Sequence, residues 1–241
     1  MKTQGFALVV AILIVLCMGF SPRQDEVTLG RESGTASADS YILYDQDVRD
    51  YCSLIPDVEG FAAALRETST HDQANILIEI EGLDPDEGQM MMETARTYIS
   101  LIPKSLRTDF TRRKFKLVIM SPEAYEQFWH DEWDQQTSSY ACYSSTRSKI
   151  MTTDVSLQTL AHEFGHHLFT YYGDIQKYEP IYESELDVIC ELMSSDYGRT
   201  NISEGFAEAY SCYIVNRKAF SKFAPKTFAY IEDVMMSVPI S

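Results

Sequence analysis

Basic residues are scarce in this chain: 20 Lys and Arg stand against 36 Asp and Glu, a formal net charge of −16. A surface that negative repels phosphate backbones and anionic headgroups, which argues against nucleic acid and membrane surfaces as partners. It would attract basic peptides, although solubility alone accounts for an acidic balance. Cysteine is sparse as well, with five in the chain and no two at the close spacing of a structural thiolate zinc site. No internal repeat is present, and no apolar run after residue 20 is long enough to cross a bilayer.

The one long apolar run is at the start. Lys2 precedes Phe6 to Phe20, an unbroken stretch of apolar and small residues, and Ser21-Pro22-Arg23 ends it abruptly. This reads as a secretory signal peptide over residues 1–20, too short to span a bilayer comfortably. An uncleaved anchor is the competing reading. Lipid attachment at Cys17 is disfavoured because Leu16 stands before it, where a small residue would be expected. The expectation is a secreted protein with no stable membrane association once the signal is removed. Four cysteines remain: Cys52, Cys142, Cys190 and Cys212. An even number in an exported chain permits two disulfides in any of three connectivities. Cys190 and Cys212 lie in neighbouring helical patterns and are one candidate pair; buried free thiols are the alternative.

Residues 21–40 are rich in Ser, Gly, Thr, Asp and Glu and read as a flexible linker. Beyond it, an apolar content of 45% suffices for a folded domain over residues 41–241, expected to be a monomer. Asn75 to Ile80 and Phe115 to Met120 have the length and β-branched content of strands. Asp84-Pro85-Asp86-Glu87 opens a helical pattern that runs to Pro103, and Ser121-Pro122 opens another through Trp129. Tyr140 to Thr152 reads as one or two short strands with a turn. Helices are expected over Val155 to Tyr172, Glu183 to Ser194, Ser203 to Asn216 and Lys226 to Ser237. The predicted class is α+β: a mixed α/β half over 41–172, including the helix at 155–172, and a helical half over 173–241.

Within the helix over Val155 to Tyr172 stands His162-Glu163-Phe164-Gly165-His166, an H-E-x-x-H pattern. At 3.6 residues per turn, positions four apart lie nearly above one another, so both imidazoles can face one ion. Glu163 is rotated away from that axis yet within reach of a water at the ion, where a general base must be. Leu157, Leu160, Ala161, Phe164 and Leu168 supply an apolar backing for the helix. The bland alternative is an amphipathic helix with two satisfied histidines. His167 points away from the pair and reads as a surface or packing residue; His71 and His130 are isolated. A catalytic zinc needs a third protein ligand, and Leu168 to Asp174 contains no histidine. Two carboxylate groups compete for the place. One is Glu183, Glu185, Asp187 and Glu191; the other is Glu204 with Glu208. Spacing alone leaves the choice open.

Further motifs accompany the first: Tyr197-Gly198-Arg199-Thr200-Asn201, Glu204-Gly205-Phe206-Ala207-Glu208-Ala209 and Ala224-Pro225-Lys226-Thr227-Phe228. Together with His162 to His166, these blocks resemble the zinc peptidase domain of the anthrax lethal factor family, and more loosely the secreted Pro-Pro endopeptidases. The resemblance covers most of the chain after residue 155, with no matching block evident before residue 140. It implies a zincin-like fold with a small mixed sheet, whose edge strand beside the cleft would be Tyr140 to Thr152. It further implies Zn2+ held by His162, His166 and Glu204, with Glu163 as general base, Tyr197 stabilising the oxyanion and Glu208 supporting a histidine. The cysteines lie outside these motifs, and His167 stands where relatives often carry a small residue. Asn201-Ile202-Ser203 fits a glycosylation sequon but falls inside a motif block. The expected activity is that of a zinc metalloendopeptidase acting on peptide or protein substrates. Two alternatives are a catalytically silent binding protein on the same scaffold and a surface-tethered structural protein.

Overall fold

Ile76 and Ile78 are buried while Leu77 and Glu81 face outward, the alternation of a half-covered strand, and Leu77–Glu81 forms β1. The computed structural model describes residues 76–133 and 139–239. The signal peptide, the linker, the start of the domain at 41, Cys52 and His71 lie outside the described residues. In β2 (Lys116–Met120) the last four residues are all buried, as in a strand covered on both faces. The four strands lie in the order β1-β2-β4-β3. β1, β2 and β4 (Lys149–Thr152) are parallel, and β3 (Ala141–Ser144) returns antiparallel along β4. The strands expected between 140 and 152 are therefore a hairpin, and β3 is an edge of a small mixed sheet.

Among the described residues, four helices belong to this half. α1 (Pro85–Ile99) starts where the Asp84 carboxylate accepts from the amides of Asp86 and Glu87. α2 (Lys104–Arg112) was not expected from the sequence, because its nine residues carry only two apolar ones, Leu106 and Phe110. Both are fully buried, four residues apart on one face. α3 (Pro122–Trp133) covers one face of the sheet, where Tyr125, Phe128 and Trp129 pack on Val118, Met120, Met151 and Cys142. By alternation Leu117, Ile119 and Ile150 point to the other face. There α2 meets α4 (Leu157–Tyr172), with the rings of Phe110 and Phe164 4.8 Å apart.

The remainder is helical: α5 (Ile175–Met193), a 3-10 turn at Tyr197–Arg199, α6 (Ile202–Val215), α7 (Arg217–Phe223) and α8 (Pro225–Met236). α5 begins eight residues before the expected Glu183, since the chain runs through Pro180 without a break. A proline there removes one helical hydrogen bond, and the burial of Tyr178 against Phe206 and Tyr230 holds that first stretch in place. α7 also went unanticipated; it is short and set by Asn216, whose side chain accepts from the amide of Ala219. Cys142 and the buried Cys190 are free thiols, so the candidate Cys190–Cys212 bridge does not form. Each stands in the last turn of its helix, which leaves the length of α6 between them.

α8 has no side-chain cap of its own. Its first amides, Lys226 N and Thr227 N, instead donate to the buried carboxylate of Glu185 on α5, at 3.1 and 2.8 Å. Charge-assisted bonds to a helix N-terminus are among the stronger ones. Glu185→Ala should therefore lower stability by about 2–3 kcal/mol, read as a fall in the midpoint of thermal or urea unfolding.

Candidate metal centre

The site begins with the first turn of α4. Asp154 accepts from the amide and hydroxyl of Ser156 at 2.9 and 2.7 Å, and Ser156 Oγ caps the helix by accepting from Thr159 N at 3.2 Å. Leu157, Leu160, Ala161, Phe164 and Leu168 are all buried, so the apolar backing expected of this helix is in place. His162 and His166 lie one turn apart with their rings 4.8 Å apart, each largely covered.

α6 comes very close to α4. A methyl group on Gly165 would sit 2.9 Å from Ala207 Cα and 3.0 Å from Tyr210 Cβ, so the contact admits only hydrogen at that position. The start of α6 is fixed by Asn201, whose Oδ1 accepts from Ser203 N at 2.9 Å and Glu204 N at 3.0 Å. The apparent sequon is thus a helix cap. It aims Glu204 at the histidines.

Glu204 Oε2 lies 3.1 Å from Nε2 of His162 and 3.1 Å from Nε2 of His166, and the two nitrogens are 3.1 Å from each other. These three form a candidate metal-binding triad. Around a tetrahedral ion with bonds of roughly 2.0–2.1 Å, ligand atoms are about 3.3–3.4 Å apart, so the triangle needs to open by only a few tenths of an ångström. The outer nitrogens are engaged too: His162 Nδ1 is 3.0 Å from Glu208 Oε1, and His166 Nδ1 is 3.1 Å from Ser203 Oγ. Partners at Nδ1 hold each ring with Nε2 facing the triangle. Burial opposes charge on His162, yet Glu204 and Glu208 outweigh it and lift its pKa to about 10. Burial likewise acts against ionised Glu204, but the two histidines hold its pKa down at about 2. The pocket favours a positive charge beside its carboxylates, and the donor set of two imidazoles and one carboxylate fits a divalent transition-metal ion.

Glu163 is buried, and its Oε2 has no hydrogen-bond partner among the described residues. Burial pushes its pKa up, with partial relief from His162 and His166. An unsatisfied carboxylate oxygen costs free energy unless something binds it, and here it stands one residue from the triad. Tyr197 is on the other side, half-exposed, its ring 5.9 Å from that of His162. Partial burial, with Glu204 and Glu163 nearby, pushes its hydroxyl up to about 12, so it keeps its proton at neutral pH and can donate. Its turn is held by Tyr182, whose hydroxyl donates to Gly198 O at 2.9 Å, and by Arg199, which pairs with Asp187 and Asp196.

The other carboxylate group is elsewhere. Glu185 caps α8, Asp187 pairs with Arg199, and Glu183 and Glu191 are exposed. Of the two alternatives, the structure brings Glu204 and Glu208 to the histidines. His130 is exposed, 3.7 Å from the Asp131 carboxylate and outside the triad. His167 is not a surface residue: it is fully buried against Asp109 of α2. Asp109 and Tyr143, its two polar partners, were not singled out from the sequence, because neither belongs to a motif.

Two helices separated in the chain thus converge on one triad with a buried carboxylate beside it, which defines a candidate metalloprotein site. The family model described as anthrax toxin lethal factor, N- and C-terminal domain, matches residues 80–234. The match covers more than half of the chain, which belongs to the anthrax lethal factor family. It also reaches well upstream of residue 140, where no block was evident, and takes in β2 and the helices around it. A search of curated proteins finds no match.

Proposed function

We propose that this protein is a secreted, zinc-dependent endopeptidase with a zincin-like fold. One observation carries the reading: three ligand atoms stand mutually 3.1 Å apart, with the unpartnered, buried Glu163 oxygen one residue away. His162, His166 and Glu204 would hold the zinc. When bound, zinc lowers the pKa of a coordinated water towards neutrality and polarises the carbonyl to be attacked.

The chain's own residues do the rest. Glu163, whose buried carboxyl has a raised proton affinity, takes a proton from the attacking water and returns it to the leaving amine. Tyr197 donates its hydroxyl proton in a hydrogen bond to the developing oxyanion. Glu208 fixes the His162 ring from behind. Among the described residues β3 pairs with β4 alone, and a peptide could add along its other side as an extended strand.

Cleavage of a random peptide library by the purified chain tests the reading. Expected is cutting that stops with a chelator and returns with added zinc. A library left intact by folded, zinc-replete protein overturns it.

A further inference from the structure

The family motifs give His167 no role, yet it occupies the best-connected polar position behind the candidate site. Its Nε2 lies 3.1 Å from Asp109 Oδ2 and its Nδ1 3.3 Å from the Tyr143 hydroxyl. Asp109 is buried, but hydrogen bonds from Arg112, Tyr172, Arg113 and His167 keep it ionised, with a pKa of about 2. An ionised carboxylate only accepts, so His167 Nε2 carries the proton and donates. With that proton on Nε2, its Nδ1 stands within hydrogen-bond distance of the Tyr143 hydroxyl, which can donate to it.

The surroundings leave no slack. Phe110, Phe115 and Tyr171 stand with ring centroids 5.1, 4.8 and 5.0 Å from the His167 ring. The Tyr143 ring lies nearly parallel to Phe115 at 5.4 Å and within 21° of parallel to His166 at 6.2 Å. Tyr143 belongs to β3, a strand of four residues that among the described residues is bonded to the sheet on one side only. So short an edge is weakly held by its ladder alone.

The geometry points to Asp109, His167 and Tyr143 as a positioning relay that ties the edge strand β3 to α4 and thereby sets the width of the cleft between them. None of the three touches a reacting atom. Their effect on turnover rests on the peptidase reading above: a peptide laid along β3 would be offered to the triad at a distance this relay determines. Small misplacements of a bound substrate are costly to the rate, and the network spans α2, α4 and the sheet.

Tyr143→Phe removes the hydroxyl and keeps the ring stack; Asp109→Asn keeps the shape and removes the charge. Both are compared with the wild type by amide hydrogen exchange on the metal-free protein, and by KM and kcat of the zinc-loaded protein for an extended peptide taken from the library. Faster exchange at Ala141 to Ser144 is expected in each variant, by about three- to tenfold, with α6 and α8 unaffected. kcat should fall by a similar factor, with zinc content unchanged. Combining the two changes should do no more than one alone, since both break the same chain. Unchanged exchange at β3 in Tyr143→Phe, acceleration spread over the whole protein, or effects that multiply would each overturn the relay. If the wild type cleaves no peptide, the peptidase reading falls, and the exchange measurements still decide the relay.

Discussion

Glu163→Gln is expected to leave zinc content at the wild-type level while lowering peptide turnover by roughly 10²–10⁴-fold. The substitution keeps the size and nearly the shape of the side chain, so the packing of α4, in which Glu163 is buried, should survive. What it removes is the carboxylate assigned to receive the proton. An amide neither takes the proton of the attacking water nor returns it to the departing amine. The loss should appear in kcat, because Glu163 bonds to nothing in the resting site through its free oxygen and is asked to act only as the bond breaks. Zinc content by elemental analysis and initial rates on one library-derived peptide suffice. Wild-type turnover in this variant would remove the general-base assignment.

Glu204→Ala should have an even larger consequence for the metal. It deletes the only anionic donor of the triad and leaves two imidazoles, whose Nε2 atoms are 3.1 Å apart, to hold an ion alone. Zinc should be lost on dialysis against a weak chelator that the wild type withstands, and peptide cleavage with it. Glu208→Ala is the graded comparison. Its carboxylate reaches His162 only through Nδ1, so affinity should fall by about 10–100-fold, the usual cost of losing a partner behind a ligand. Glu185→Ala, buried at the start of α8, should bind zinc as the wild type does. Should Glu204→Ala hold zinc as tightly as the wild type, the assignment of the third ligand is wrong.

Much of this site was legible because its chemistry is carried by few residues in fixed register. His162 and His166 follow from helical periodicity. Glu204, Glu208 and Tyr197 came from motif blocks, since no spacing rule selects one acidic helix face over another. Glu185 shows why: on charge alone it competes with Glu204, and only the position of α8 reveals that it serves two backbone amides. The strands and the longer helices announced themselves by apolar period, whereas α2 and α7 did not, being short and defined by what they pack against. His167 was read as a surface or packing residue, and it is the packing alternative that holds. Its setting is not local: Phe110, Phe115, Tyr143 and Tyr171 close around it, and they come from α2, the residue before β2, β3 and α4 itself.

Gly165 offers no functional group at all, yet the spacing of two backbones depends on it. With hydrogen as its side chain, α4 can press against Ala207 and Tyr210, and that contact fixes how far the carboxylate of one helix stands from the imidazoles of the other. A single carbon added there would act as a shim, prising the donors apart by tenths of an ångström without altering one of them. On the metal-binding reading proposed above, affinity would thus be adjustable from a residue that no inventory of ligands would include.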